Sequence, residues 1–246
     1  MPPAISSAEA PVPVRGDLAL AQRRALERLA APGTWWSGAE RVAIAAEARQ
    51  ARRCGPCRER RQALSPAWGG ADHESLGRLP PAAVEAIHRV AADPGRLSRA
   101  WFEKTRAAGL AEGPYVELVG VVATLVSLDA FCRGLGVAPH PLPEPLPGEP
   151  SRYRPGQARD EGAFVPMIPA RGAQGAEADL WPPGRTANVL RALSLVPDEV
   201  RGLKELSAAH YLPMEQVIDV RAHRLLSRAQ MELVAARVSA LNECHY

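Results

Sequence analysis

Two short constellations carry the reactive side chains of this 246-residue chain. The first is Cys54-Gly55-Pro56-Cys57, two thiols separated by two residues near a helix terminus, a spacing that lets the sulfurs exchange between dithiol and disulfide. A free thiol is only a few per cent ionised at neutral pH, so such a pair reacts only where its surroundings favour thiolate. Arg52, Arg53, Arg58, Arg60 and Arg61 flank the motif and carry charge of the right sign, although exposed guanidinium groups are screened. The same sulfurs also suit half of a structural zinc site, which needs two further donors from His73, His88 or Cys244, and inert buried thiols are a third reading. The second constellation lies at the other end of the chain. Glu232 precedes Cys244 on a helical pattern, and His245 stands beside the thiol, where an imidazolium favours the thiolate.

The elements that must position these groups read as helices throughout, so the fold class expected is all-α. Asp17 caps a helix with Leu18, Ala21, Ala25, Leu26 and Leu29 on one stripe, which Pro32-Gly33 stops. Ser37, with Glu40 three residues on, caps a second helix that runs through Ile44 to the first thiol pair at its far end. Further helices are expected from Pro80 or Pro81 through Val90, from Leu97 to Ala108, and from Tyr115 to about Leu135, the last apolar on several faces and therefore central. From Gly134 to Gly184 the density of proline and glycine forbids a regular helix, and the stretch reads as an arm anchored by Phe164 to Ile168 and Trp181. Helical pattern returns at Asn188 to Val196, Pro197 to Tyr211 and 214 to 225. A last helix capped by Ser227 carries Met231, Val234, Val238 and Leu241 on one stripe. The expected organisation is a leader over 1–17, an N-terminal helical half over 18–136, the arm over 137–184 and a C-terminal helical half over 185–246.

Composition narrows the function classes. With 46% apolar residues the chain has material for a core, and 30 basic against 27 acidic residues leave a net charge of only +3. The arginine cluster from Arg49 to Arg61 is broken up by Glu59 within it and Glu47 beside it and lacks interleaved aromatics, so no nucleic-acid partner is expected. The apolar run Val116 to Phe131 contains Glu117 and Asp129 and falls short of the roughly 20 residues a bilayer span needs, and no export signal opens the chain. No membrane partner and a cytoplasmic location are the expectation. His88, His140, His210 and His223 supply no metal spacing and are expected to pack or to face solvent. No haem or flavin signature is present, so neither cofactor nor metal is expected.

Cys-Gly-Pro-Cys matches the thioredoxin active site letter for letter, but that family places it after a strand, whereas helical pattern precedes it here. The stronger resemblance begins at Ser227. Glu232, followed after eleven residues by Cys244 within Gln-Met-Glu-Leu-Val-Ala-Ala-Arg-Val-Ser-Ala-Leu-Asn-Glu-Cys-His-Tyr, resembles the opening of the signature of the carboxymuconolactone decarboxylase and AhpD-like alkylhydroperoxidase family, peroxidase-related branch. That signature continues Cys-x-x-Cys-x-x-x-His. The resemblance spans roughly residues 18 to 246. It implies an AhpD-like helical fold, oligomeric assembly and reduction of a hydroperoxide at the expense of a thiol or dithiol reductant. It further implies that Glu232 is the relay carboxylate and Cys244 the resolving thiol. Apart from the resemblance, His245 is expected to tune the sulfur, and Cys54 and Cys57 to serve as an auxiliary redox pair. Read to Tyr246, the chain stops one residue before the attacking position and five before the relay histidine. Two expectations follow: the next codon specifies selenocysteine, or the reading is truncated, and either way the chain as read is incomplete or inactive. The competing class is a catalytically incomplete helical structural or interaction module.

An internal echo accompanies this. An offset of 190 places Cys54 on Cys244, Ser37 on Ser227, Ala39 on Ala229, Ile44 on Val234 and Ala45-Ala46 on Ala235-Ala236, as expected of a duplicated helical unit. The first copy has Val42 at the relay-glutamate position and Arg61 at that of the histidine.

Overall fold

The computed structural model describes residues 11–65, 72–217 and 219–242. Among them are ten α-helices and no strand, and the all-α expectation holds. The helices are α1 Gly16–Ala30, α2 Gly38–Ala51, α3 Gly55–Gln62, α4 Pro81–Ala92, α5 Arg99–Ala107, α6 Glu112–Gly134, α7 Asn188–Arg191, α8 Pro197–His210, α9 Met214–Val217 and α10 Arg228–Leu241.

α6 is the centre. It is apolar on nearly all sides, as an element packed from several directions must be, and α2, α4 and α8 cover it. Its Leu118, Val121, Leu125 and Leu128 meet Ile44 and Ala45 of α2, Ala86 and Ile87 of α4, and Val200 of α8 in one continuous core. By length and composition alone α6 would also cross a membrane, and it is longer than the apolar run that the sequence delimits, but just over half of its most apolar stretch is buried within the protein. The two acids inside that run are accommodated by charge: Glu117 pairs with the buried Arg41, which also binds Glu199 at 2.8 Å, and Asp129 takes a two-pronged contact from Arg49. Gly120 makes room for the triad, since a side chain there would fall on the Glu199 carboxylate.

α1 lies against α8, held by Leu26 and Leu29 and by Arg24 and Arg28 on Glu205. The arm packs, as expected. Leu146 and Arg152 donate backbone hydrogen bonds to Ala30 and Thr34 around the α1–α2 turn, Phe164 stacks on Phe102, and Ile168, Leu180 and Trp181 are fully buried.

Four local expectations are corrected. The first thiol pair does not merely end α2; it opens α3, an eight-residue helix whose Gly-Pro-Cys-Arg-Glu-Arg-Arg-Gln sequence has no apolar stripe to announce it. Asp17 lies in the first turn of α1, and Arg15 occupies the capping position. α7 and α9 are single turns where longer helices were expected. The stripe of Val234, Val238 and Leu241 on α10 faces solvent, although α10 starts with the same capping box as α2.

Candidate thiol and histidine site

The site gathers where α2, α3 and α4 converge. α2 ends at Ala51, and a tight turn in which Arg53 and Cys54 both donate to the Gln50 carbonyl reverses the chain. Pro56, which needs no amide donor and has a backbone angle already suited to a first turn, then starts α3. Cys54 becomes the capping residue and Cys57 stands one turn inside, so both sulfurs face the same side at a helix N-terminus, where the peptide dipoles favour negative charge. On α4, Glu85 and His88 are three residues apart and share a face. The segment from Asp72 to Pro80 brings His73 in from the side.

Cys57 Sγ lies 3.3 Å from His73 Nδ1 and 3.2 Å from His88 Nδ1. The outer nitrogen of each ring meets a carboxylate: His73 Nε2 is 2.7 Å from Glu85, and His88 Nε2 is 2.8 Å from Glu47. The carboxylates are themselves held. Glu47 accepts the Leu76 amide at 3.0 Å, and Glu85 accepts the Trp101 indole N–H at 2.8 Å. The two imidazoles lie against each other with ring centres 4.2 Å apart. Cys54, Cys57, His88 and Glu47 are all buried, and His73 is nearly so.

The electrostatics divide the two thiols. Burial opposes ionisation of Cys54, but the amides of Glu74 and Cys57 and the His73 ring outweigh it and hold its pKa below that of an ordinary thiol. Burial and the neighbouring Cys54 push Cys57 up to about 12. Burial likewise opposes the charged form of His73, yet its contacts with Glu85 and Cys54 raise its pKa. His88 is lowered by burial despite Glu47. Glu85 is drawn down to about 2, against the effect of burial, by His73 and the Trp101 indole.

The structure therefore joins Cys54 and Cys57 to His73 and His88, and it corrects the expectation that His88 only packs. His140 is buried, His210 is exposed with its ring edge against Phe131, and His223 is exposed. Cys244 and His245 lie outside the described residues. Glu232 is solvent-facing on α10, hydrogen-bonded by the Tyr211 hydroxyl and paired with Arg228 at 2.6 Å; those contacts hold its pKa below the usual carboxylate range. Glu47 and Glu85 were not found from sequence. For Glu85 a faint signal was present, since it precedes His88 by about one turn on α4, but that spacing does not single out an acid among many; Glu47 lies on α2 before the chain reverses and reaches His88 only through packing.

These features define an all-α protein with a buried cluster of two thiols and two carboxylate-backed imidazoles, equipped for thiol exchange or for cation ligation. Compared with family models, curated proteins and solved structures, the chain matches none.

Proposed function

We propose that this chain belongs to a thiol-dependent oxidoreductase of the AhpD-like type, in which Cys54 and Cys57 cycle between dithiol and disulfide. The observation that carries this reading is the placement of both sulfurs in the first turn of α3, with His73 bridging the thiol pair to Glu85. The substrate class is a hydroperoxide. The Cys54 thiolate attacks the peroxide oxygen, the O–O bond breaks, and the leaving alkoxide takes a proton from His73 to depart as the alcohol. Cys57 then attacks the sulfenic sulfur of Cys54, forming the S–S bond, while the Cys57 proton, relayed by His88, protonates the departing hydroxide to release water. A dithiol reductant returns two electrons and two protons. In the AhpD-like reading this pair passes electrons to a second centre begun by Glu232 and Cys244.

The test is a thiol count on fully reduced, chelator-treated protein exposed to cumene hydroperoxide, with the disulfide located by peptide mass. A Cys54–Cys57 disulfide is expected, and Cys54→Ser and Cys57→Ser each abolish it. Retention of both thiols at a dose that oxidises free cysteine would reject the proposal.

A second reading, a helical interaction module that self-associates, is favoured by α10, whose Leu233, Val234, Val238 and Leu241 are all more than half exposed.

A further inference from the structure

We infer that Cys54, Cys57, His73 and His88 form a four-coordinate site for a zinc-class divalent cation that fastens α3 and the 72–80 segment to α2 and α4.

The donors are of the right kind and number. Two sulfurs and two imidazole nitrogens make a Cys2His2 set, and all four donor atoms lie within 4.8 Å of one another. With Zn–S near 2.3 Å and Zn–N near 2.0 Å, a tetrahedron has sulfur-to-nitrogen edges of about 3.5 Å. The two measured edges from Cys57 Sγ, 3.3 and 3.2 Å, fall just inside that value. Two thiolates and two neutral rings also balance a charge of two on the ion.

The orientation of the rings is a second observation. Both turn Nδ1 inward to the sulfurs and Nε2 outward to a carboxylate, Glu85 for His73 and Glu47 for His88. A carboxylate on the outer N–H fixes the tautomer that leaves the inner lone pair free for a metal. Such backing occurs twice, from two different helices, and each carboxylate is itself anchored by an N–H donor.

The third observation concerns what holds this corner together. Cys57 is the sole buried residue of α3, so the helix has no apolar face to fix it. The 72–80 segment is mostly exposed and touches the body through His73, Glu74, the Leu76 amide and Leu79 at its end, which packs on the core. Arg96 holds the far end of α3 through the Arg60, Arg61 and Ala63 carbonyls, and a metal bound by one residue of the α2–α3 turn, one of α3, one of this segment and one of α4 supplies the anchor at its near end. Four protein donors and burial of the cluster leave no open position, which makes the role structural.

This goes beyond the oxidoreductase reading and does not depend on it. While the ion is bound both sulfurs are ligands and no disulfide forms, so the metal must leave before the pair is oxidised.

Cobalt(II) is the probe. Titrating the reduced, metal-free full chain is expected to give thiolate-to-cobalt charge-transfer bands and the intense visible bands of tetrahedral cobalt, saturating at one ion per chain and bleached by zinc. Cys57→Ser and His88→Ala should lose that spectrum. Glu47→Gln and Glu85→Gln should keep it while weakening affinity by about ten- to a hundred-fold. Stripping the zinc should speed proteolysis within residues 55–80. Absence of the charge-transfer bands in folded wild-type protein, or bands unchanged by His88→Ala, would overturn the inference. Cobalt binding without disulfide formation after chelation sinks only the oxidoreductase reading, and disulfide cycling without cobalt binding sinks only the metal site.

Discussion

At the scale of single residues, the strongest buried charge arrangement lies away from the thiols. Arg41 sits between Glu117 and Glu199, and Glu117 is itself raised above the usual carboxylate range because burial outweighs the pull of Arg41. Removing the cation leaves two buried acids facing each other. Arg41→Leu is therefore expected to lower stability by about 3–5 kcal/mol, whereas Arg24→Ala, which breaks a surface pair with Glu205, should cost less than about 1 kcal/mol. Urea unfolding of the two variants at neutral pH measures both, and equal effects would refute the account. The residue scale is also where the sequence was most uneven as a guide. Cys54 and Cys57 were legible because their spacing is local. His73 and His88 were named only alongside Cys244 as candidate zinc donors and could not be chosen over it, because their approach to the sulfurs depends on how α4 packs against α2 and α3 and leaves no mark in spacing along the chain.

At the scale of elements, hydrophobic period and capping chemistry identified α2, α4, α6, α8 and α10, each of which combines a start signal with a long run of helix-forming residues. α3 escaped because an arginine-rich turn anchored through one cysteine has no periodicity. α7 and α9 were expected to be longer because local propensity does not register how soon the chain must turn. One contact between elements carries a pH dependence. Gln22 of α1 lies between His140 of the arm, at 2.7 Å, and His210 of α8, at 3.3 Å. Loss of water lowers the pKa of both rings, through burial for His140 and through the contacts with Phe131 and Gln22 for the otherwise exposed His210; Arg49 adds to this for His140 and Arg15 for His210, while Asp129 and Asp17 oppose it. A base whose folded pKa is depressed stabilises the fold fully above its unfolded pKa of about 6.5, and that contribution is lost as pH falls below it, where the unfolded chain takes up protons that the folded one refuses. The urea midpoint should thus fall between about pH 7.5 and pH 5.5, and the His140→Gln, His210→Gln double variant should flatten that fall. An unchanged slope in the variant would contradict it.

At the scale of the whole molecule, the all-α class and the packed arm were legible, the first from helical patterning and the second from its buried aromatic and aliphatic anchors. The exposure of α10 was not, because a stripe of apolar residues states only that a face needs cover. Self-association through that face predicts concentration-dependent sedimentation of the wild-type chain and a monomer for Val234→Lys, Val238→Lys. A wild-type monomer at every concentration would dismiss it. The pairing of α1 with α8 has a further consequence for how the protein comes into being. α1 is completed by a helix that follows it only after the whole arm has been made, and the arm between them must lay its own aromatic anchors into the core. A nascent chain therefore carries the oily face of α1 that α8 covers open to misassociation until α8 has been made.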